Sequence, residues 1–220
     1  MNYYRISHDV GGKKTIYDIH ELEPGYDWDG TKSIRKINLR GKIENETLFP
    51  TYILDYNKKL HDLISTPFHH SHIWIISSKF LDVLTNLSIE EYQVFPINLL
   101  HRGKVIPDYF IFYVPIISYE AVDFDKSEFC MANYSFCKIP VKLQDKEEYF
   151  ERIKELKEKG SELELRAKSL AIREDNKFEM LRFLDFFSGI VISDSAYLKI
   201  QNLKLSGIRF EPLKSISDLH

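Results

Sequence analysis

The sequence predicts an α+β fold, a strand-rich single domain with interspersed short helices. Three observations lead there. A strand–helix–strand pattern is written twice, at residues 75–97 and 191–213. Tyr and Phe number 13 and 15 in 220 residues, a usage that favours sheet surfaces over a helical bundle. The clearest amphipathic helix is one isolated segment, residues 145–159, set among strand-like runs.

Along the chain, residues 2–7 and 15–19 read as two short strands around a Gly11-Gly12 turn. Residues 24–48 are rich in turn formers and charge, so they read as loops, with Trp28 anchoring a loop to the core. Residues 51–65 offer an imperfect helical stripe in Ile53, Leu54, Leu60 and Ile64. The first repeat copy, IISSKFLDVLTNLSIEEYQVFPI, aligns without a gap on the second, VISDSAYLKIQNLKLSGIRFEPL. Ser77 falls on Ser193, Asn86 on Asn202, Leu87 on Leu203 and Pro96 on Pro212. In each copy a Ser caps a helix, and a Pro, which donates no ladder hydrogen bond, closes the second strand. Leu84, Leu87, Ile200 and Leu203 are expected to be buried.

Tyr109–Phe124 is dense in β-formers on both faces, as in a central strand, with a break at Pro115. Asp145 caps the charged helix, Tyr149, Phe150, Ile153 and Leu156 line it, and Gly160 ends it. Residues 162–173 read either as a helix opened by the Ser161–Glu164 capping box or as a strand with Leu163, Leu165 and Ala167 alternating. Met180–Phe187 reads as a strand. The resulting division is an N-terminal strand and loop region, 1–70, packed on a core domain, 71–220.

Composition bounds the function. Net charge is −3, so no basic field gathers phosphates and nucleic-acid binding is not expected. The acidity is local: residues 82–148 carry eleven Asp and Glu against six Lys and Arg. The opening MNYYRISHDVGGKK lacks a cationic leader with an apolar core, and no apolar run is long enough for a bilayer. A cytoplasmic protein without membrane contact is expected. Cys130 and Cys137 are spaced too widely for a CxxC clip and are expected to be reduced thiols.

Candidate chemistry is sparse. In Phe68-His69-His70-Ser71-His72, an extended backbone would put His70 and His72 on one face. No partner stands at a metal-ligand spacing, and a polar loop leading into a strand accounts for the segment better; no metal and no cofactor are expected. Asp123-Phe-Asp125 at a strand end resembles the DxD of haloacid-dehalogenase-type phosphatases, in which one Asp attacks and the other is a general acid. The magnesium-binding and phosphate-binding segments of that chemistry do not follow, so an enzyme is not expected. A phosphatase-like enzyme using Asp123 and Asp125 is the first alternative, and a ligand-sensing or structural domain the second. Nothing signals an oligomeric state.

The ordered series of motifs resembles immunity protein family eleven of bacterial polymorphic toxin systems. The series begins with Ile75-Ile76-Ser77, then Tyr92-Gln-Val-Phe95-Pro96-Ile97, then the run from Tyr109 through Phe112 and Val114 to Val122-Asp123 and Ser127. It closes with Ile192-Ser193-Asp194 and Leu205-Ser206-Gly207-Ile208-Arg209-Phe210. Trp28-Asp29-Gly30 meets an early Trp element loosely. The chain departs from the family at Leu181-Arg182-Phe183 and in the charged helix at 145–160, which has no counterpart. The resemblance implies a cytoplasmic immunity protein that binds and neutralises a cognate toxin, without turnover. Many such toxin domains are nucleases, and Glu120, Asp123, Asp125 and Glu128 would suit the basic, phosphate-holding groove of one. The plain alternative is that these four carboxylates solvate a turn.

Overall fold

Fifteen strands in four sheets and three α-helices occupy the described part of the chain, 39 % strand and 17 % helix, the strand-rich α+β class expected. The structure is a computed structural model and describes residues 2–9, 17–68, 70, 72–133, 136–186 and 189–213.

The first strands are β1 (Tyr3–His8), β2 (Ile19–Leu22), β3 (Tyr52–Leu54) and β4 (Leu63–Ile64). The first repeat copy forms β5 (Ile73–Ser77), α1 (Ser78–Leu84) and β6 (Gln93–Pro96). Then come β7 (Leu99–His101), β8 (Lys104–Ile106) and β9 (Tyr109–Tyr113). After a 3-10 turn, Tyr119–Ala121, follow β10 (Val122–Asn133), β11 (Phe136–Val141), α2 (Lys146–Glu158), β12 (Glu164–Ile172) and β13 (Met180–Phe183). The second copy closes the chain as β14 (Gly189–Ser193), α3 (Asp194–Gln201) and β15 (Ile208–Pro212).

The repeat is larger in space than in sequence. One central sheet has the order β4-β5-β9-β6 and the other β13-β14-β1-β15. The registers coincide: Ser77 faces Tyr109 as Ser193 faces Tyr3, and Pro96 faces Phe110 as Pro212 faces Tyr4. Hydrogen bonds recur as well. The Ser77 N–H donates to Asp62 O as Ser193 N–H donates to Glu179 O, both at 2.9 Å. The Ser78 N–H reaches Asp108 O at 2.8 Å as Asp194 N–H reaches Asn2 O at 3.0 Å. Each half thus consists of a lead strand, an insert, two strands, a helix and a last strand. The lead strands are exchanged: β1 completes the sheet of the second half, and β9 that of the first. Strand pairing therefore runs across position 70 from end to end.

Local sequence explains the shared shape. Ser77 and Ser193 are extended, and their hydroxyls accept the N–H of Phe80 at 3.2 Å and of Ala196 at 3.3 Å, as N-caps do. The two central sheets and their helices meet in one core, where large side chains of one half occupy positions that hold smaller ones in the other. Trp74, Phe80 and Phe112 stand where the second half has Ile190, Ala196 and Ile6. The outer face of the first sheet packs Ile73, Ile75 and Ile111 against the accessory sheet β2-β3-β7-β8. The outer face of the second packs Leu181, Phe183 and Val191 against the sheet β11-β10-β12 and Tyr149 of α2.

Several expectations are corrected. Residues 51–65 hold two strands, not a helix. Asp55 Oδ1 accepts the Asn57 N–H at 3.2 Å and makes a turn, leaving Tyr52 and Leu54 to alternate inward. β1 and β2 do not pair with each other, and Gly11-Gly12 lies outside the described residues. The 162–173 alternatives resolve to strand β12, and β13 stops at Phe183, with Phe187 outside the described residues. Leu84, Leu87 and Ile200 are buried, but Leu203 is 44 % exposed. Glu179 grips the backbone of Ser88, next to Leu87, whereas Asp62 grips Ser206, three residues past Leu203. Leu203 is thus left in the turn rather than under it. Finally, Cys130 and Cys137 are not thiols. They form a disulfide across the β10–β11 hairpin, with Cα atoms 5.5 Å apart. The two strands run antiparallel with Cys130 opposite Pro140 and Cys137 opposite Ala132, and a register shift lies between Met131 and Ala132.

Candidate functional site: an acidic cleft

The predicted carboxylates sit on and beside a break in β10. Asp123 faces Ala171 of β12, and the next pair is Glu128 with Ser169, so residues 124–127 bulge out opposite Leu170 alone. Ser127, buried, closes the gap: its hydroxyl donates to Asp123 O at 2.6 Å and accepts the Ala171 N–H at 2.9 Å. Phe124 tethers the bulge inward, stacking on Phe129 with ring centroids 5.5 Å apart. What remains outside is Asp123, Asp125 and Lys126.

The bulge, the 119–121 turn, the start of α2 and the 173–175 turn enclose a cleft of about 460 Å³. Seven carboxylates line it, those of Glu120, Asp123, Asp125, Asp145, Glu147, Glu174 and Asp175, against the three cations Lys126, Lys146 and Arg173. The cations are already held. Lys126 Nζ lies 3.2 Å from Glu174 and 3.3 Å from Asp123, and these two carboxylates raise its pKa. Lys146 contacts Glu120, which raises it likewise. Arg173 donates twice to Asp175, at 3.0 Å each, and holds that carboxyl below the usual range. Asp145 caps α2, accepting the Glu148 N–H at 2.8 Å. Asp125 is exposed and makes no hydrogen bond or ion pair among the described residues. The cleft therefore holds a net excess of negative charge, with at least one carboxylate uncommitted.

Of the four residues expected from sequence, Glu120, Asp123 and Asp125 share this cleft. Glu128 does not; it lies along a neighbouring groove, 2.9 Å from Lys168. Asp145, Glu147, Glu174 and Asp175 escaped the sequence reading as site residues. Asp145 was legible as a cap, and the acidic Glu174-Asp175 pair was the remaining signal.

The histidines part company. His70 is exposed and its carbonyl accepts the Ile73 N–H at 2.9 Å, which turns the chain, while His72 is buried. They do not share a face. Burial, with the Arg182 charge next in weight, pushes His72 down to about 4. Among the described residues, no group of three or more His, Cys, Asp or Glu is arranged to hold a metal ion. No described helix is long and apolar enough to cross a membrane.

In comparison with known proteins, no protein-family model matches the chain and no curated protein matches its sequence.

Proposed function

We propose that the chain is an immunity protein, which binds and neutralises a cognate toxin in the cytoplasm as a stoichiometric inhibitor, with the acidic cleft as its docking surface. The observation that carries this reading is the cleft's imbalance of seven carboxylates over three cations on a concave surface. A toxin that acts on nucleic acid holds phosphates with Lys and Arg. An acidic concavity would be steered to such a groove and would occupy the substrate's place. Binding of this kind needs no cofactor and no turnover. Cytoplasmic residence exposes the Cys130–Cys137 bond to reductants, and β11 retains its ladder to β10 without it.

One observation favours the phosphatase-like alternative: Asp123 and Asp125 reach the same cleft. Against it, Asp123 is engaged by the Lys126 N–H at 3.2 Å and by the Lys126 ammonium, which blunts it as a nucleophile.

The test is co-expression with the product of the adjacent gene, scoring survival and co-purification. The native chain and a Glu128→Lys variant should protect and co-purify, while Glu120→Lys with Asp125→Lys should do neither. A toxic neighbour that the native chain fails to restrain would end the immunity reading. Ester hydrolysis by the purified chain that is lost in Asp123→Asn with Asp125→Asn would replace it with the enzyme.

A further inference from the structure

We infer that the Cys130–Cys137 disulfide is an exchangeable redox site, built to react with anionic low-molecular-weight thiols of the glutathione kind. This goes beyond the immunity reading and does not rest on it. The disulfide opens on a groove of about 520 Å³ that Lys138, Lys142 and Lys168 also line. Among the described residues Glu128 is the one carboxylate lining it and is paired with Lys168 at 2.9 Å, so positive charge prevails. The two sulfurs are unequal in access, because Cys130 is 2 % exposed and Cys137 lies on the exposed strand β11. β11 is an edge strand, and its residues from Phe136 to Pro140 are all exposed.

These features have a chemical consequence. Thiol–disulfide exchange begins with attack by a thiolate on an accessible sulfur, and it runs faster when the departing thiolate is stabilised. Neighbouring ammonium groups stabilise a thiolate and attract an attacking one that carries carboxylates. The incoming thiolate bonds to Cys137 Sγ, the Cys130–Cys137 bond breaks, and Cys130 Sγ leaves with the electron pair and takes a proton from water. A second thiolate attacks the small thiol's sulfur in the mixed disulfide and releases Cys137. In sum, two thiols are oxidised to one disulfide and the cysteine pair is reduced by two electrons. The reverse sequence, starting from oxidised glutathione, restores the bond.

The experiment compares reduction of the native oxidised chain by reduced glutathione, net negative at neutral pH, and by cysteamine, which is cationic. Each rate is normalised to the same thiol acting on a small uncharged disulfide, and a salt series is run. The expected result is a normalised advantage of about tenfold for glutathione at low salt, shrinking as salt rises. Mass mapping of the trapped adduct should place it on Cys137. Lys138→Gln with Lys142→Gln should remove most of the advantage; the salt series on the native chain makes the same test without a variant. Equal normalised rates at low salt, an adduct on Cys130, or a pair that stays as thiols in oxidised glutathione would each overturn the proposal.

Discussion

Arg182 shows how one residue holds distant segments together. It is fully buried and, among the described residues, has no acidic partner, a costly placement unless its donors are used. Nη1 donates to Tyr113 Oη at 3.1 Å, Val114 O at 2.9 Å and Pro115 O at 3.1 Å, and Nη2 donates to Leu39 O at 2.5 Å. The guanidinium also lies 4.9 Å from the Tyr113 ring centroid. It ties the loop before β3 to the end of β9 and to β13, on which it stands. Arg182→Met would strand the Val114 and Pro115 carbonyls in the interior, Leu39 O keeping the Tyr113 hydroxyl as a donor at 3.1 Å, and we expect a loss of about 3–5 kcal/mol in denaturant unfolding. A change below about 1 kcal/mol would contradict this role.

His72 supplies a pH dependence at the same scale. Its folded pKa is about 4, below the ordinary 6.5, chiefly because burial disfavours the charged ring. The unfolded chain therefore binds more protons between these values, and stability must fall as pH drops from about 6.5 toward 4. The shift corresponds to about 3 kcal/mol at its fullest. Urea midpoints measured from pH 7 to pH 4 should fall steeply in the native chain and much less in His72→Gln. Parallel curves would refute the assignment. Asp62 adds its own loss only at lower pH. Burial works to raise it, but bonds from Ser206 and Ser77 outweigh that and hold it below its ordinary value.

Among elements, the two repeat copies match inside their helices and part just beyond them. Leu84 and its counterpart Ile200 are both buried, whereas Leu87 is buried and its counterpart Leu203 is 44 % exposed. Leu84→Ala should cost about 2–5 kcal/mol, as cavity-forming truncations do, and Leu203→Ala less than about 0.5 kcal/mol. Thermal unfolding of the two variants side by side separates them, and equal losses would mean that both lie in the core. The helices themselves were legible because their signals are local: a Ser cap, then apolar residues at i, i+4 and i+7. Leu203 was misjudged because its burial depends on where Asp62, 141 positions away in sequence, grips the following turn. The segment 51–65 misled for a related reason. Its apolar residues fit a helix loosely, and the Asp55 turn and pairing with β7 and β5 decide against one.

On the scale of the whole molecule, the exchange of lead strands makes the two ends of the chain inseparable. The sheet of the second half is incomplete without β1, which pairs with β14 across some 190 positions. No window of sequence reveals that partner, although Tyr3-Tyr4-Arg5-Ile6 does resemble Tyr109-Phe110-Ile111-Phe112 once the register is seen. The cleft was legible in the same measure. Glu120, Asp123 and Asp125 are neighbours in sequence and were found together. Asp145, Glu147, Glu174 and Asp175 join them only because α2 and the turn after β12 pack against the β10 bulge.

Docking of a basic partner in this cleft is what the proposed immunity function requires above all. The most direct measurement is the association rate of the purified chain with the adjacent gene's product over a salt series, for the native protein and for Glu120→Lys with Asp125→Lys. Steering by the cleft predicts a native on-rate that falls steeply with salt, and a variant that associates at least about tenfold more slowly at low salt with a flatter salt dependence. Native and variant on-rates that coincide at every salt concentration would contradict the claim.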